Sequence, residues 1–391
     1  MKLFTVVFLL IITGWSSLLH ATITCTRSWS QRTDFLDTNA PVVAEGVNIS
    51  ALRDLPVGGV LFRQTVKMVD PTPLGFYCRT DSESTETTPV YTYWTTEGAL
   101  PAITGTYSGH NAYNTGIPGI GVAIIWATST GGNYAFPYSM TGSIIAQSSL
   151  QGAAGYYNNY FLDIVFVKTG DIPAGVWNVP VSLPPIIMYR EAPEAQGVNK
   201  EYGLRIHIAG SVNVVAGTCE TPDVVVPMGQ NAIDGSVVNT RWVDFSVNLL
   251  SCPPMYGRYD RTTKVPTSAT NQWLGEGVEP VSGMPDTTNA IKVLLNPVEG
   301  YETLASGGKC AKLTSSSDMA GGACLEIQNA SGANVLTSSF SGVAADSGLS
   351  LLSRISGYTI PLKARYGLIN GNTAMSAGKA DSAVEFTINY Q

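Results

Sequence analysis

The sequence predicts an all-β fold, from its composition and from the spacing of its apolar residues. Only 13% of the 391 residues are charged, whereas 40 are glycine, 22 are proline and 18 are tyrosine. This balance is typical of short strands joined by tight turns. Several short segments alternate apolar with polar residues, which is the period of a strand with one buried face.

The first 21 residues have the pattern of a secretory signal peptide. Lys2 precedes the apolar run 3–12, and the small-residue end 19–21 predicts cleavage after Ala21. The run is shorter than the roughly 18 to 20 apolar residues of a membrane-spanning helix, and no later segment reaches that length. We therefore expect an exported, soluble chain that begins near Thr22.

Charge and residue types argue against several functions. A net charge of −7 without basic clusters disfavours nucleic acid or an anionic membrane as the main partner. Only His110 and His207 lie beyond the signal peptide, and no C-x-x-C, H-E-x-x-H or G-x-S-x-G motif occurs, so we predict no metal, no cofactor and no enzyme. An exported glycan hydrolase with paired carboxylates stays an alternative, because the sequence does not show distances between carboxylates.

The glycine-rich stretch 116–121 predicts a tight turn rather than a nucleotide site. Its glycines do not follow the G-x-G-x-x-G spacing, and Pro118 lies among them. A β-branched run follows it, where a phosphate-binding loop would be followed by a helix.

Six cysteines follow the signal peptide, an even number that indicates disulfides in an exported protein. Six cysteines allow fifteen pairings. The spacing favours sequence neighbours, and these pairs are Cys25 with Cys78, Cys219 with Cys252, and Cys310 with Cys324. The last pair would close a loop rich in serine and glycine, with a stabilisation of about 3 kcal/mol.

The length allows two domains with separate cores, and the junction 216–218 is the predicted boundary. Residues 22–216 are predicted to form a β-rich first domain. Residues 217–391 contain six predicted strands, one fewer than a seven-stranded sandwich. The predicted strands are 224–226, 243–249, 291–295, 325–327, 358–366 and 382–390.

The last predicted strand has the clearest alternation in the chain. Its apolar face carries Val384, Phe386, Ile388 and Tyr390. No later strand of the sequence pairs with its far edge. We therefore expect an open edge of the kind that accepts a strand from another chain.

The ending 385–391, with its penultimate Tyr390, resembles the C-terminal strand of chaperone–usher pilin domains. Such domains are immunoglobulin-like sandwiches that lack their last strand and receive it from a periplasmic pilus chaperone and then from the adjacent pilin subunit. The resemblance implies an incomplete pilin sandwich over 217–391, with Val384, Phe386, Ile388 and Tyr390 beside the donor-strand groove. It also implies an outer-membrane usher as a partner. Cys25 follows Thr22 too closely for a strand to be lent, so a terminal place in the fibre is expected.

Three segments of the first domain resemble type 3 fimbrial tip adhesins: 54–60, 113–121 and 166–170. The resemblance implies an N-terminal β-sandwich adhesin domain that binds a host glycan or an extracellular-matrix protein. The implied location is the fimbrium tip at the bacterial surface, reached through the periplasm. A structural minor pilin without its own ligand is the alternative.

The first domain concentrates aromatic residues among small polar ones. Such side chains suit the C–H face of a sugar or a protein surface. Tyr91 and Tyr93 share one strand face and Trp94 lies on the other, and we take all three as candidate ligand residues.

A second candidate ligand site comes from a resemblance to the mannose-binding tip adhesin of type 1 fimbriae. The ligand loop of that adhesin directly follows a disulfide-bonded cysteine. Arg79, Thr80 and Asp81 occupy the equivalent place after Cys78. Asn199 occupies the place of its second ligand loop, so the resemblance implies that these four residues contact a ligand.

Overall fold

The computed structural model describes residues 21–27, 36–41, 48–68, 76–128, 133–148, 152–153, 160–181, 183–260, 291–336, 340–341 and 357–390. Within these ranges the chain forms 27 strands and no helix, which confirms the predicted all-β fold. No helix in the described ranges could cross a membrane. Apart from Ala21, the predicted signal peptide lies outside the described residues.

The strands before Cys219 belong to what we call the N-terminal half, residues 22–216 with the adjoining Gly217. They are β1 (Ile23–Arg27), β2 (Leu36–Pro41), β3 (Asn48–Leu52), β4 (Val60–Met68), β5 (Phe76–Thr80), β6 (Glu86–Thr96), β7 (Ile103–Tyr107), β8 (His110–Asn114), β9 (Ile120–Thr128), β10 (Asn133–Ala135), β11 (Tyr138–Ala146), β12 (Gly152–Ala153), β13 (Tyr160–Lys168), β14 (Gly175–Pro180), β15 (Ile186–Glu191), β16 (Gln196–Gly197), β17 (Lys200–Ala209) and β18 (Ser211–Gly217).

The remaining strands belong to the C-terminal half, residues 218–391. They are β19 (Val243–Leu250), β20 (Tyr259–Asp260), β21 (Ile291–Pro297), β22 (Tyr301–Thr303), β23 (Lys309–Ala311), β24 (Ala323–Asn329), β25 (Phe340–Ser341), β26 (Gly357–Leu368) and β27 (Val384–Tyr390).

Where the structure describes the N-terminal half, its strands form four sheets. A sheet ordered β11-β6-β15-β17-β2 and a sheet ordered β20-β4-β13-β9-β8-β7, with β10 beside β9, share one core. The sheet β14-β18-β3 contributes Ile49, Val212 and Val214 to that core. The fourth sheet, ordered β12-β5-β1-β16, packs around a smaller apolar cluster of its own.

Trp94 lies inside the larger core, so its prediction as a ligand residue is wrong. Even-numbered residues of β6 point inward, and the Trp94 side chain is 0% exposed. Its ring stacks on Trp126 with 5.6 Å between ring centroids. Burying a ring of this size removes more apolar surface from water than display on a sheet face would, which explains its position.

The described residues of the C-terminal half form two sheets around a second core. Their orders are β19-β26-β24-β23-β22 and β25-β21-β27. Pro361 lies in β26 just beyond the part that pairs with β24, so its missing N–H interrupts no ladder there. Ser251 takes a φ of +52° directly after β19, which changes the phase of the chain between the strand and Cys252.

All three predicted disulfides are formed. Cys25 and Cys78 face each other on β1 and β5, Cys219 joins Cys252, and Cys310 joins Cys324. The described residues contain no free cysteine. The first disulfide staples the small sheet of the N-terminal half, and the other two lie in the C-terminal half.

Several contacts join the two halves. The short strand β20 runs parallel to β4 and extends a sheet of the N-terminal half. In the other direction, Leu52 packs into the core of the C-terminal half. Ser50 makes two hydrogen bonds to the segment before β20. Its N–H donates to the Gly257 carbonyl at 3.1 Å, and its hydroxyl accepts the Tyr256 N–H at 2.8 Å.

We predict that Trp94→Ala destabilises the N-terminal half by about 3–5 kcal/mol, because it opens a cavity in a well-packed core. Tyr93→Ala, one position along on the outward face, is the matched control and should cost far less. Urea unfolding followed by circular dichroism measures both. Equal midpoints for the two variants would contradict the burial of Trp94.

Candidate functional site

A groove of about 980 Å³ opens along the C-terminal half. It is lined by the segment 223–231, by β27 and by strands of the larger sheet. Its apolar lining side chains are Val224, Val226, Met228, Phe245, Val247, Leu325, Leu362, Val384 and Phe386. An open apolar groove in the side of a domain is a surface that another chain can cover.

The segment 223–231 has the side-chain alternation of a strand but no partner strand. Val224, Val226 and Met228 are half-buried, whereas Val225 is 89% exposed. The predicted strand 224–226 is therefore not formed, since no described strand pairs with this segment. A strand needs backbone partners as well as alternating side chains, and here only the second requirement is met.

Among the described strands, β27 pairs only with β21, along one edge. Its ladder with β21 runs from Tyr390 opposite Ile291 to Val384 opposite Pro297. Backbone groups of successive residues in a strand point to opposite edges. Because Tyr390 and Ile388 make their bonds on the edge away from β21, Phe386 presents its N–H and C=O on that same edge, where no described strand lies.

Two residues of the N-terminal half cover the end of this edge, and we call Arg53 and Asp54 the clasp. The Asp54 carboxylate accepts the Tyr390 N–H at 2.8 Å, and the Arg53 guanidinium donates to the Ile388 carbonyl at 2.7 Å. Arg53 also lies 5.4 Å from the centroid of the Tyr390 ring. The Tyr390 hydroxyl accepts the Cys219 N–H at 3.1 Å.

The side chains of β27 are more deeply buried where the clasp covers the strand than where the groove lies beside it. Ile388 and Tyr390 are 6% and 1% exposed under the clasp, whereas Val384 and Phe386 are only half-buried beside the groove. The sequence correctly places these four residues on one face, but it does not reveal the clasp. The only signal near it is the resemblance of the segment 54–60 to tip adhesins, which carries no information about a contact with β27.

Asp54 is ionised more readily than an ordinary carboxyl. Burial raises its pKa, but the Arg53 hydrogen bond, the Tyr390 N–H and the positive charges of Arg53 and Lys168 outweigh burial. The pKa of Asp54 is therefore held below its ordinary value of 3.8. The pKa of Arg53 is raised, with the Asp54 hydrogen bond as the largest cause.

The N-terminal half displays four tyrosines side by side on the outward side of one sheet, and we call Tyr91, Tyr93, Tyr189 and Tyr202 the tyrosine face. Ring centroids lie 6.3 Å apart from Tyr91 to Tyr93, 4.8 Å from Tyr93 to Tyr189, and 5.5 Å from Tyr189 to Tyr202. The sequence identifies the first two. The other two come from β15 and β17, and only strand pairing brings them alongside.

Lys200 completes the tyrosine face. Its ammonium nitrogen lies 4.2 Å from the Tyr189 ring centroid and 5.3 Å from that of Tyr202. It also lies 3.6 Å from a Glu191 carboxylate oxygen. Desolvation is the largest cause of the raised pKa of Tyr93 and Tyr189, so their hydroxyls stay protonated at neutral pH and can donate.

A depression of about 620 Å³ continues the tyrosine face toward β2. Arg205 lines it and is paired with Glu97 and with Asp37, the latter at 3.1 Å. Asp37 also contacts the His207 ring nitrogen at 2.8 Å. The charges around the face are therefore matched with one another.

The candidate residues taken from type 1 adhesins lie on the small sheet. Arg79 is exposed, but Thr80 is 3% exposed and its hydroxyl accepts the Ser82 N–H at 3.1 Å. The Asp81 carboxylate accepts the Thr22 N–H at 2.7 Å, and the Asn199 amide donates to the Ala195 carbonyl at 2.9 Å.

The two loops that carry these residues flank the same strand, because β5 and β16 lie on either side of β1. The structure thus brings the two predicted loops to one sheet. It also commits several of their polar atoms to internal hydrogen bonds, so their ligand role stays a prediction.

No cluster of three or more His, Cys, Asp or Glu side chains suited to a metal ion occurs among the described residues.

No protein-family model and no curated protein matches the sequence. Several solved structures are similar to it, and two of them are adhesins. The receptor binding domain of the plasmid-born adhesin MrkD1P of Klebsiella pneumoniae is 17% identical with a TM-score of 0.29, over 51% of this chain and 98% of that one. The CupB6 tip adhesin from Pseudomonas aeruginosa is 13% identical with a TM-score of 0.26, over 94% of this chain and 93% of that one.

The names of these two structures describe adhesins. TM-scores of this size do not define a shared fold. The function proposed below therefore rests on the groove, the clasp and the tyrosine face of this chain.

We predict that Asp54→Asn lowers the unfolding midpoint at pH 7 by an amount that shrinks as the pH falls below about 3.8. A carboxyl with a lowered folded pKa stabilises the fold above its unfolded pKa, and that contribution is lost as the pH falls through the folded value. Arg53, whose pKa is raised, keeps its charge throughout, so the change follows the protonation of Asp54. Thermal unfolding of both proteins at pH 7 and pH 3 checks this, and a constant difference would contradict it.

Proposed function

We propose that the chain is a fimbrial tip adhesin with two domains, an adhesin domain over 22–216 and a pilin domain over 217–391. The pilin domain would be anchored to the fibre by donor-strand complementation. The observation that carries this proposal is the apolar groove, which lies beside the part of the β27 edge where no described strand pairs. A strand added there would find backbone hydrogen-bond partners on β27 and apolar side chains to contact in the groove.

The energetics favour an added strand. Burying one large apolar side chain contributes about 1.5–3 kcal/mol, and a strand with alternating apolar residues would place several of them in the groove. The same strand would cover Val384 and Phe386, which are half-buried without it. Its backbone would also pair with the N–H and C=O groups that Phe386 presents on this edge.

The partners follow from this mode of anchoring. We propose a periplasmic pilus chaperone as the first donor of a strand, an outer-membrane usher at which the donor is exchanged, and the adjacent pilin subunit as the final donor. The protein would then be displayed at the fimbrium tip on the bacterial surface.

We propose the tyrosine face as the receptor-binding surface, in preference to the loops of the small sheet. Its rings offer flat apolar area and its hydroxyls can donate hydrogen bonds, a combination that suits the C–H faces and hydroxyl groups of a sugar. Since Lys200 and Arg205 are already paired with carboxylates, a neutral glycan fits better than a charged one. A matrix protein is the competing receptor.

The groove is tested with a synthetic peptide of alternating valine and threonine. At a free concentration of about 100 times Kd, the peptide should raise the unfolding free energy of the C-terminal half by about 2.7 kcal/mol. Val384→Arg, which places a charge in the groove, should abolish most of this gain. Differential scanning calorimetry measures the effect.

The matched control for the groove experiment is Thr387→Arg, which adds the same charge on the exposed face of β27. This variant should respond to the peptide as the unmodified protein does. If the peptide leaves the unfolding free energy of the C-terminal half unchanged in all three proteins, the sandwich needs no added strand, and the fimbrial proposal would fall.

The receptor face is tested with Tyr189→Ala, because Tyr189 contacts both Tyr93 and Tyr202 and lies in the middle of the face. Removing a central aromatic anchor should weaken receptor binding about tenfold or more. Binding of the purified protein to a glycan array and to collagen-coated surfaces provides the readout. Circular dichroism should show an unchanged fold, because the ring points outward.

Tyr301→Ala serves as the control for receptor binding, since Tyr301 is a partly exposed tyrosine of the C-terminal half. It should leave binding unchanged. If the protein binds collagen but no neutral glycan, and Tyr189→Ala weakens that binding, the receptor is a protein rather than a glycan. If receptor binding is unchanged in Tyr189→Ala, the tyrosine face is excluded as the receptor-binding surface.

A further inference from the structure

The lining of the groove includes Val384 and Phe386 of β27 but neither Ile388 nor Tyr390. Ile388 and Tyr390 line a separate, smaller pocket of about 230 Å³ instead. Arg53 forms part of the wall of that smaller pocket. The change from the groove to the smaller pocket therefore coincides with the clasp.

The clasp uses the backbone groups that an added strand would need. A strand that pairs with the whole of β27 would require the Ile388 carbonyl and the Tyr390 N–H on the edge away from β21. Both groups are already bonded to Arg53 and Asp54. The same edge at Val384 and Phe386 carries no described strand.

The loop that carries the clasp is firmly held. Gly58 donates its N–H to the Lys168 carbonyl at 2.7 Å, and the Lys168 N–H donates to the Gly59 carbonyl at 3.0 Å. The Lys168 side chain is 5% exposed, and its ammonium group donates to the Arg53 carbonyl. A buried ammonium is costly without a partner, so this contact strongly favours one position of the Arg53 backbone.

The segment 166–170, which also resembles tip adhesins, connects this loop to the segment 113–121. Thr169 donates its N–H to the Gly119 carbonyl at 2.8 Å. Gly119 has a φ of +76°, and a Cβ there would lie 2.3 Å from the Asp171 carbonyl oxygen, so only glycine fits. Backbone hydrogen bonds thus join the three segments 54–60, 113–121 and 166–170 next to the clasp.

We propose that Arg53 and Asp54 form an end stop for the incoming strand. The strand pairs with β27 beside Val384 and Phe386. It ends at Ile388, where residues of the adhesin domain already bond the edge of β27. This inference rests on the proposed function of the groove. It adds that the two domains share one strand edge, so a donor that ran past Ile388 would have to break the contact between them.

The experiment compares two peptides of alternating valine and threonine, with pairing segments of about five and about seven residues, which span about 17 and 24 Å. With the unmodified protein, the longer peptide should bind no more than about twofold tighter, because the stop blocks its last two residues. With Arg53→Ala and with Asp54→Ala, it should gain about tenfold, since the freed edge offers new hydrogen bonds. Isothermal titration calorimetry gives each Kd.

The control variant is Glu385→Gln, which changes an exposed carboxylate on β27 outside the clasp. It should behave as the unmodified protein does. If the longer peptide gains equally in every protein, the end stop is overturned while the groove stands. If neither peptide binds any of the proteins, the groove itself is refuted and the inference falls with it.

Hydrogen exchange tests the clasp without any peptide. Asp54→Ala should accelerate exchange of the Tyr390 amide about tenfold, because the amide loses its acceptor. The Phe386 amide, on the same edge but beyond the clasp, should exchange quickly in both proteins. An unchanged Tyr390 amide would overturn the role of Asp54, whatever the peptides do.

Discussion

The structure of the C-terminal half depends on one constraint, that the backbone N–H and C=O groups of β27 need partners along both edges. β21 satisfies one edge along the whole strand. On the other edge the clasp satisfies Ile388 and Tyr390, and an open apolar groove lies beside Val384 and Phe386. That edge is thus divided between the N-terminal half, which it joins through the clasp, and an open groove, which we propose as the attachment site for a strand.

The joint also explains why three glycine-containing segments of the N-terminal half lie together. They support the loop of Arg53 and Asp54 through backbone hydrogen bonds and through the buried Lys168. Residues in such a loop are constrained by geometry, since Gly119 has no room for a side chain. Their resemblance to tip adhesins is thus connected with the contact between the halves rather than with the candidate receptor face.

The tyrosine face lies on a different sheet from the loop candidates near Cys78. Its rings come from three neighbouring strands, so the sheet holds them in a fixed array at little cost in conformational entropy. By contrast, the polar atoms of Asp81 and Asn199 are engaged within the protein. A ligand would have to displace those bonds, whereas the outward tyrosine rings are ready to accept one.

The sequence by itself determined the all-β fold and the inward face of β27, because alternation is a local property of the chain. Cysteine spacing favoured the three disulfides among fifteen possible pairings, and the structure decided them. The sequence placed Tyr91 and Tyr93 on one face and Trp94 on the other, but it took Trp94 as a ligand residue and did not bring Tyr189 and Tyr202 alongside. Only the tertiary structure decided these points and revealed the clasp, because each depends on which strands and loops become neighbours. Asp54 and Tyr390 are far apart in the sequence, and no local pattern records that one accepts a hydrogen bond from the other.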